Sequence, residues 1–246
     1  MHTADTPDDR RNNSAVDEDR RSFLRVSAAV AGSGLLAAAA PMLPALGTVE
    51  PAARPVTAGG RPGVDVIDLV PGEKIFDKVS GVINPDPSSS EQYGYFASLK
   101  GFDEDELFRG TPHDETRARF TFFTVANTHT ALVESPIIYL WRTGHTTVYE
   151  NRAAASFDDR ETFRSGRPIV TSALTNQQAI VQPESGFFRA VNRNKITESR
   201  PVRAGRRLVQ WGSVGEAYAT YILGLTGTGT SGTWTAIGLG ADSDIE

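Results

Sequence analysis

From Val64 onward, polar and apolar positions alternate in short runs rich in β-branched and aromatic residues. A period of two puts successive side chains on opposite faces of a pleated strand, whereas a helix needs apolar positions three and four apart. The pattern predicts strands near 64–70, 74–84, 92–100, 117–133, 136–149, 168–182, 187–198, 205–211, 216–226 and 232–240. Turn formers fall between them, at Pro71-Gly72, Asn84-Pro85, Gly110, Glu134-Ser135-Pro136, Gly166, Pro183 to Gly186, Pro201 and Gly212. Residues 64–246 are therefore expected to form one all-β domain, a single antiparallel barrel or a two-sheet sandwich. Two single-turn helices are expected as connectors. Thr111-Pro112-His113-Asp114 offers a capping hydroxyl, a proline at the first helical position and a carboxylate at the third. Ser156-Phe157-Asp158-Asp159 repeats the capping logic, with Gly166 as a stop.

The run from Ile137 to Tyr149 carries the most chemistry. One face holds Tyr139, Trp141, His145 and Tyr149 among hydroxyl residues, and the other holds Ile138, Leu140, Arg142, Gly144, Thr146 and Val148. Rings that supply contact area and polar atoms that orient a guest suit the inside of a ligand-holding barrel. Tyr139, Trp141, His145 and Tyr149 are thus the expected ligand-binding residues. The alternative makes Arg142-Thr143-Gly144-His145 a hairpin turn, which would split the run and abolish the face.

The first 19 residues are polar and lack apolar periodicity, so they bury too little surface to order themselves. Asp19-Arg20-Arg21-Ser22-Phe23-Leu24-Arg25 then leads into an Ala/Val/Gly/Ser/Leu run ending at Ala40, before Pro41 and Pro44. This resembles a twin-arginine signal peptide over residues 1–47, with Arg20, Arg21, Phe23 and Leu24 as its motif. The apolar run is too short and too rich in small residues to span a membrane. The resemblance implies export of a folded chain by the twin-arginine translocon, to the periplasm, cell surface or exterior. No stable membrane span is expected after cleavage. Residues 48–63, rich in Pro, Ala and Gly, read as an extended linker.

Cysteine is absent and the formal net charge is −5. The first fact excludes disulfide scaffolds, thiolate metal sites and cysteine nucleophiles. The second gives no basic field for nucleic acid, which is not an expected partner. At the C-terminus, Leu225-Thr226-Gly227-Thr228-Gly229-Thr230-Ser231-Gly232-Thr233-Trp234-Thr235-Ala236 is similar to the closing hairpin of secreted barrels of the allene-oxide-cyclase and dirigent type. There a Gly-Thr-Gly turn leads into a strand of small residues with one aromatic. The resemblance implies a barrel and carries over no functional residue.

Catalytic motifs are scarce. His113, His129 and His145 lack ligand spacing, and each reads more simply as a hydrogen-bonded rim or turn residue. A metal or acid–base site would need His129 and His145 to converge with Glu134 or Glu150. Asp103-Glu104-Asp105-Glu106 lacks the spaced calcium-loop pattern and reads as a solvated turn. Asp158-Asp159-Arg160-Glu161 fits the acidic first turn of a helix as well as a carboxylate pair. Trp211-Gly212-Ser213-Val214-Gly215 has the wrong glycine spacing for a nucleophile elbow and reads as a turn.

No metal site is predicted, and no particular cofactor is indicated. The expected role is non-catalytic, binding a small apolar or carbohydrate ligand or serving as an extracellular component. The alternatives are a cofactor-free barrel cyclase or isomerase and a histidine-dependent metal enzyme.

Overall fold

The structure is a computed structural model that describes residues 63–86, 88–182, 185, 187–225 and 231–243. The signal motif Arg20, Arg21, Phe23 and Leu24, nearly all of the 48–63 linker and the Gly/Thr turn at 226–230 lie outside the described residues.

Among the described residues eleven strands form in chain order: β1 (Val64–Ile67), β2 (Lys74–Asp86), β3 (Ser89–Leu99), β4 (Phe120–Glu134), β5 (Ile137–Glu150), β6 (Arg167–Gln182), β7 (Phe187–Ser199), β8 (Val202–Ala204), β9 (Arg207–Trp211), β10 (Ala217–Leu225) and β11 (Ser231–Ala241). Eight of them close an antiparallel barrel in the order β10-β11-β2-β3-β4-β5-β6-β7. The expected barrel is therefore the observed architecture, and the sandwich is not. Closure leaves the barrel no free strand edge, and eight strands enclose a lumen that side chains fill or one small ligand occupies.

The remaining strands make a small sheet, β1-β9-β8, at the end where β2, β4, β6 and β10 begin. Trp211 at the end of β9 packs against two lumen residues, Phe76 at 6.1 Å and Tyr218 at 5.5 Å between ring centroids. With Leu69, Leu107, Phe108, Phe96, Phe120 and Phe122 they form the main apolar cluster, which caps this end. β8, three residues long and preceded by Pro201, was too short for the alternation to reveal.

Close strand packing depends on two lumen-side glycines. A Cβ on Gly94 would sit 1.9 Å from the Val79 carbonyl oxygen, and one on Gly144 would sit 1.9 Å from that of Val125. At both, the neighbouring backbone occupies the space that any side chain would need.

Among the described residues two short helical turns are present, one away from the expected positions and one inside the expected Ser156–Gly166 segment. α1 spans Glu104–Leu107, inside the acidic stretch expected to be a solvated turn. Asp103 supplies its capping box with Glu106, so two of the clustered acids are consumed in capping the N-terminus of a helix. Thr111 to Asp114 is irregular instead. The second turn is a 3-10 helix at Arg160–Arg164, displaced from Ser156 because Asp159 is its cap, accepting from the Glu161 N–H. The segment carrying it folds over the barrel exterior. There Phe163 and Ala155 cover Tyr93 and Phe123, and the Thr121 hydroxyl donates to the Phe163 carbonyl at 2.7 Å.

Candidate functional site

β5 runs unbroken from Ile137 to Glu150, so the hairpin turn at 142–145 does not exist. The two faces of the strand are real, but the expected assignment is reversed. Arg142 is fully buried and Leu140, Thr146 and Val148 are buried with it, facing the lumen, while Thr143 and His145 are exposed. Tyr139, Trp141, His145 and Tyr149 lie on the outer face. Tyr139 and Trp141 stack on each other at 6.4 Å and 24°, and Tyr149 packs beneath the exterior segment with Tyr93 and Phe123. The inward face is the one on which Arg142 finds Thr128 and Gln177 and on which Gly144 leaves room for the Val125 carbonyl.

The histidines stay apart. His113 stacks on Phe108 at 4.7 Å, with its Nδ1 2.6 Å from a Glu104 carboxylate oxygen. His129 bonds only its neighbour Thr130 within the described set, and His145 sits across from Val125, three residues short of the bulge that holds His129. Among the described residues, no three His, Asp or Glu side chains gather as metal ligands. The acids near Asp159 are spent on the helix cap and on a Glu161–Arg164 pair at 2.6 Å. Ser213 lies in a turn, its N–H donating to Glu216 Oε2 at 2.6 Å.

The unusual chemistry is in the lumen. Between the aromatic cluster at the capped end and a cluster of Leu140, Ala179, Phe188, Ala190, Ile222 and Ala236 toward the hairpin end lies a polar belt. Arg142 on β5 donates through Nη1 to Gln177 Oε1 on β6 at 3.3 Å and through Nε to Thr128 Oγ1 at 2.8 Å. Gln177 Nε2 donates to Asn192 Oδ1 on β7 at 2.8 Å, and Asn192 Nδ2 donates across the lumen to Gln92 Oε1 on β3 at 3.0 Å. A second relay joins Thr124, Thr146 and Asn194, with hydroxyl distances of 2.9 Å and 3.0 Å.

The first relay starts at a guanidinium and runs in one direction. Each donated bond polarises the next amide, so the last donor, Gln92 Nε2, is the strongest and needs an acceptor most. It has none, and neither do the hydroxyls of Ser80 and Ser90 on the same wall, β2 and β3. Buried polar atoms without partners cost about 1–3 kcal/mol each, and native proteins rarely tolerate several together.

Two cations share this interior. Among the described residues no Asp or Glu is buried. Burial lowers the Arg142 guanidinium to about 10, which leaves it charged at neutral pH. Lys78 is 4% exposed, with Nζ 4.0 Å from the Phe122 ring centroid and 5.7 Å from that of Phe76. Desolvation brings its amine from 10.5 down to about 7. Tyr218, whose hydroxyl donates to Ser172 at 3.3 Å, is pushed up to about 12, because burial outweighs that bond.

Sequence reasoning missed Lys78, Gln92, Arg142, Gln177 and Asn192. The local signal was weak: Arg142 stands between Leu140 and Gly144 on its face, but Gln92 stands between Ser90 and Gly94 and Asn192 beside Asn194. No family model, curated protein or solved structure matches the chain significantly.

Proposed function

We propose that the barrel is a non-catalytic carrier or receptor for one small amphipathic molecule, held in the lumen after export of the folded chain. The observation that carries this reading is the unmet hydrogen-bonding demand of Gln92 Nε2, Ser80 Oγ and Ser90 Oγ on one lumen wall. A guest oxygen accepting from Gln92 would complete the relay that begins at Arg142. The guest's apolar body would lie against Ala179, Ala190 and Ala236, where the wall carries methyl groups in place of larger side chains. The twin-arginine-like motif at Arg20 and Arg21 supports export, since a route for folded cargo suits a protein that loads its guest before it leaves.

Native mass spectrometry of the chain recovered from its exporting host tests this directly. A bound small molecule is expected, and it should be lost when Ala190→Phe fills the guest's space. A bare polypeptide mass in both proteins would refute the carrier reading.

The exterior Tyr139–Trp141 pair supports a second reading, a flat stacking platform for a carbohydrate. That reading requires sugar binding to vanish with Trp141→Ala and to survive Ala190→Phe.

A further inference from the structure

We propose that Lys78 is a nucleophilic amine that captures a small aldehyde or ketone inside the barrel as a Schiff base. The inference rests on the lumen being a guest site and names the guest's reactive group.

Lys78 faces inward on β2, one lumen position from Phe76 and one from Ser80, with its Nζ against the Phe122 ring. No hydrogen bond or ion pair joins it to any described residue, and no described acid is buried. An ammonium so far removed from bulk water is penalised, so the neutral amine is favoured. With the amine lowered to about 7, half of the molecules carry a free lone pair at that pH. An ordinary lysine offers one in roughly one molecule in three thousand.

The choice of residue points the same way. Of 25 basic residues only Lys74, Lys78, Lys100 and Lys195 are lysines. Lys74 and Lys100 are exposed or half-exposed partners of Asp77 and Glu73, each at 2.7 Å, and Lys195 is exposed. The chain thus meets nearly every need for fixed positive charge with arginine and places a lysine in the lumen. Arginine keeps its proton, whereas lysine releases one when buried.

The neighbours complete the case. Ser80 follows Lys78 on the same face of β2, and Gln92 lies one row further along the paired strand β3, both with unpartnered polar atoms. A carbonyl oxygen held by these donors presents its carbon to the amine. In the reaction, the Nζ lone pair forms an N–C bond as the carbonyl π bond breaks, and a proton passes from nitrogen to oxygen to give a carbinolamine. Loss of that oxygen as water, with the second N–H proton, leaves the imine. One water is released and nothing is oxidised or reduced.

The test treats the full chain with benzaldehyde and cyanoborohydride at pH 7, so that any imine is reduced to a stable benzylamine, and maps the label by peptide mass spectrometry. Lys78 is expected to be labelled at least about tenfold faster than Lys74, Lys100 or Lys195. Its rate should rise through a midpoint near 7. Ser80→Ala should slow that labelling at Lys78 without altering the near-ultraviolet spectrum of the folded chain. Label on the other lysines with Lys78 untouched overturns the proposal. Benzyl alcohol, which binds without a carbonyl, separates the two failures. If it perturbs the Ala190 and Ala236 methyl resonances while Lys78 stays unlabelled, the guest site stands and the Schiff base falls. If neither molecule enters, both fall.

Discussion

The two ends of the barrel solve the same packing problem in opposite ways. At the capped end Phe76 is within 5.3–6.1 Å of Phe96, Tyr218 and Trp211, edge-on or tilted, so rings meet from β2, β3, β9 and β10. Toward the hairpin end Ala179, Ala190 and Ala236 face Leu140, Phe188 and Ile222. Large interlocking rings fix a structure, while small walls sacrifice burial. The polar belt lies between these regimes, and its unpartnered donors sit where the ring-filled half gives way to the methyl-lined half. Larger side chains are thus concentrated at one end, and smaller ones at the other.

Substitutions can break that contrast. Phe122→Ala, at a fully buried ring of the capped end, should cost about 3–5 kcal/mol in urea unfolding. If it costs less than Ala190→Val, the capped end is not the stability centre.

Lys78→Met should stabilise the chain, on the order of 4–5 kcal/mol at pH 6, because the buried ammonium is removed. The sign follows from its lowered folded value. Between about 7 and 10.5 the unfolded chain binds more protons than the folded one. Wild-type stability should therefore rise with pH across that window and level off above it, and Lys78→Met should lose that slope. Unfolding curves at pH 6, 8 and 10 decide the matter, and a slope that persists in the variant assigns the effect to another group.

Ala190→Val should cost under about 1 kcal/mol while weakening guest binding. A penalty nearer the usual 1–3 kcal/mol for overpacking would mean that the methyl-lined half is already full.

Glu150 should give the smallest effect. Burial raises its carboxyl, but Arg119 and Arg167, each 2.7 Å away, outweigh that and hold it below the usual carboxylate value. Its contribution is present above the unfolded value near 4.5 and is lost as pH falls through the lowered folded value. Since Arg167 is half exposed, Glu150→Gln should cost below about 1 kcal/mol at neutral pH and nothing near pH 2.

Strand positions were legible because alternation is a local signal: β6 was expected at 168–182 and found at Arg167–Gln182. Closure into a barrel also followed the all-β expectation. The site was not legible in the same way. Alternation states that Trp141 and Arg142 lie on opposite faces, but which face is inside depends on strands distant in sequence. Amino-acid character suggested that the aromatic row was interior. The tertiary answer is the reverse, because Arg142 finds partners on β4 and β6 inside, while the rings of Tyr139 and Trp141 stack on each other outside. The relay from Asn192 to Gln92 joins residues 100 positions apart, and no local pattern announces it.

A guest inside the lumen and a guest on the outer wall would touch different residues. Intermolecular nuclear Overhauser effects from a bound amphipathic guest, recorded on methyl-labelled protein, distinguish the two most directly. Contacts to the Ala179, Ala190 and Ala236 methyls are expected. Contacts confined to the Tyr139 and Trp141 rings, with those methyls silent, would contradict the carrier reading.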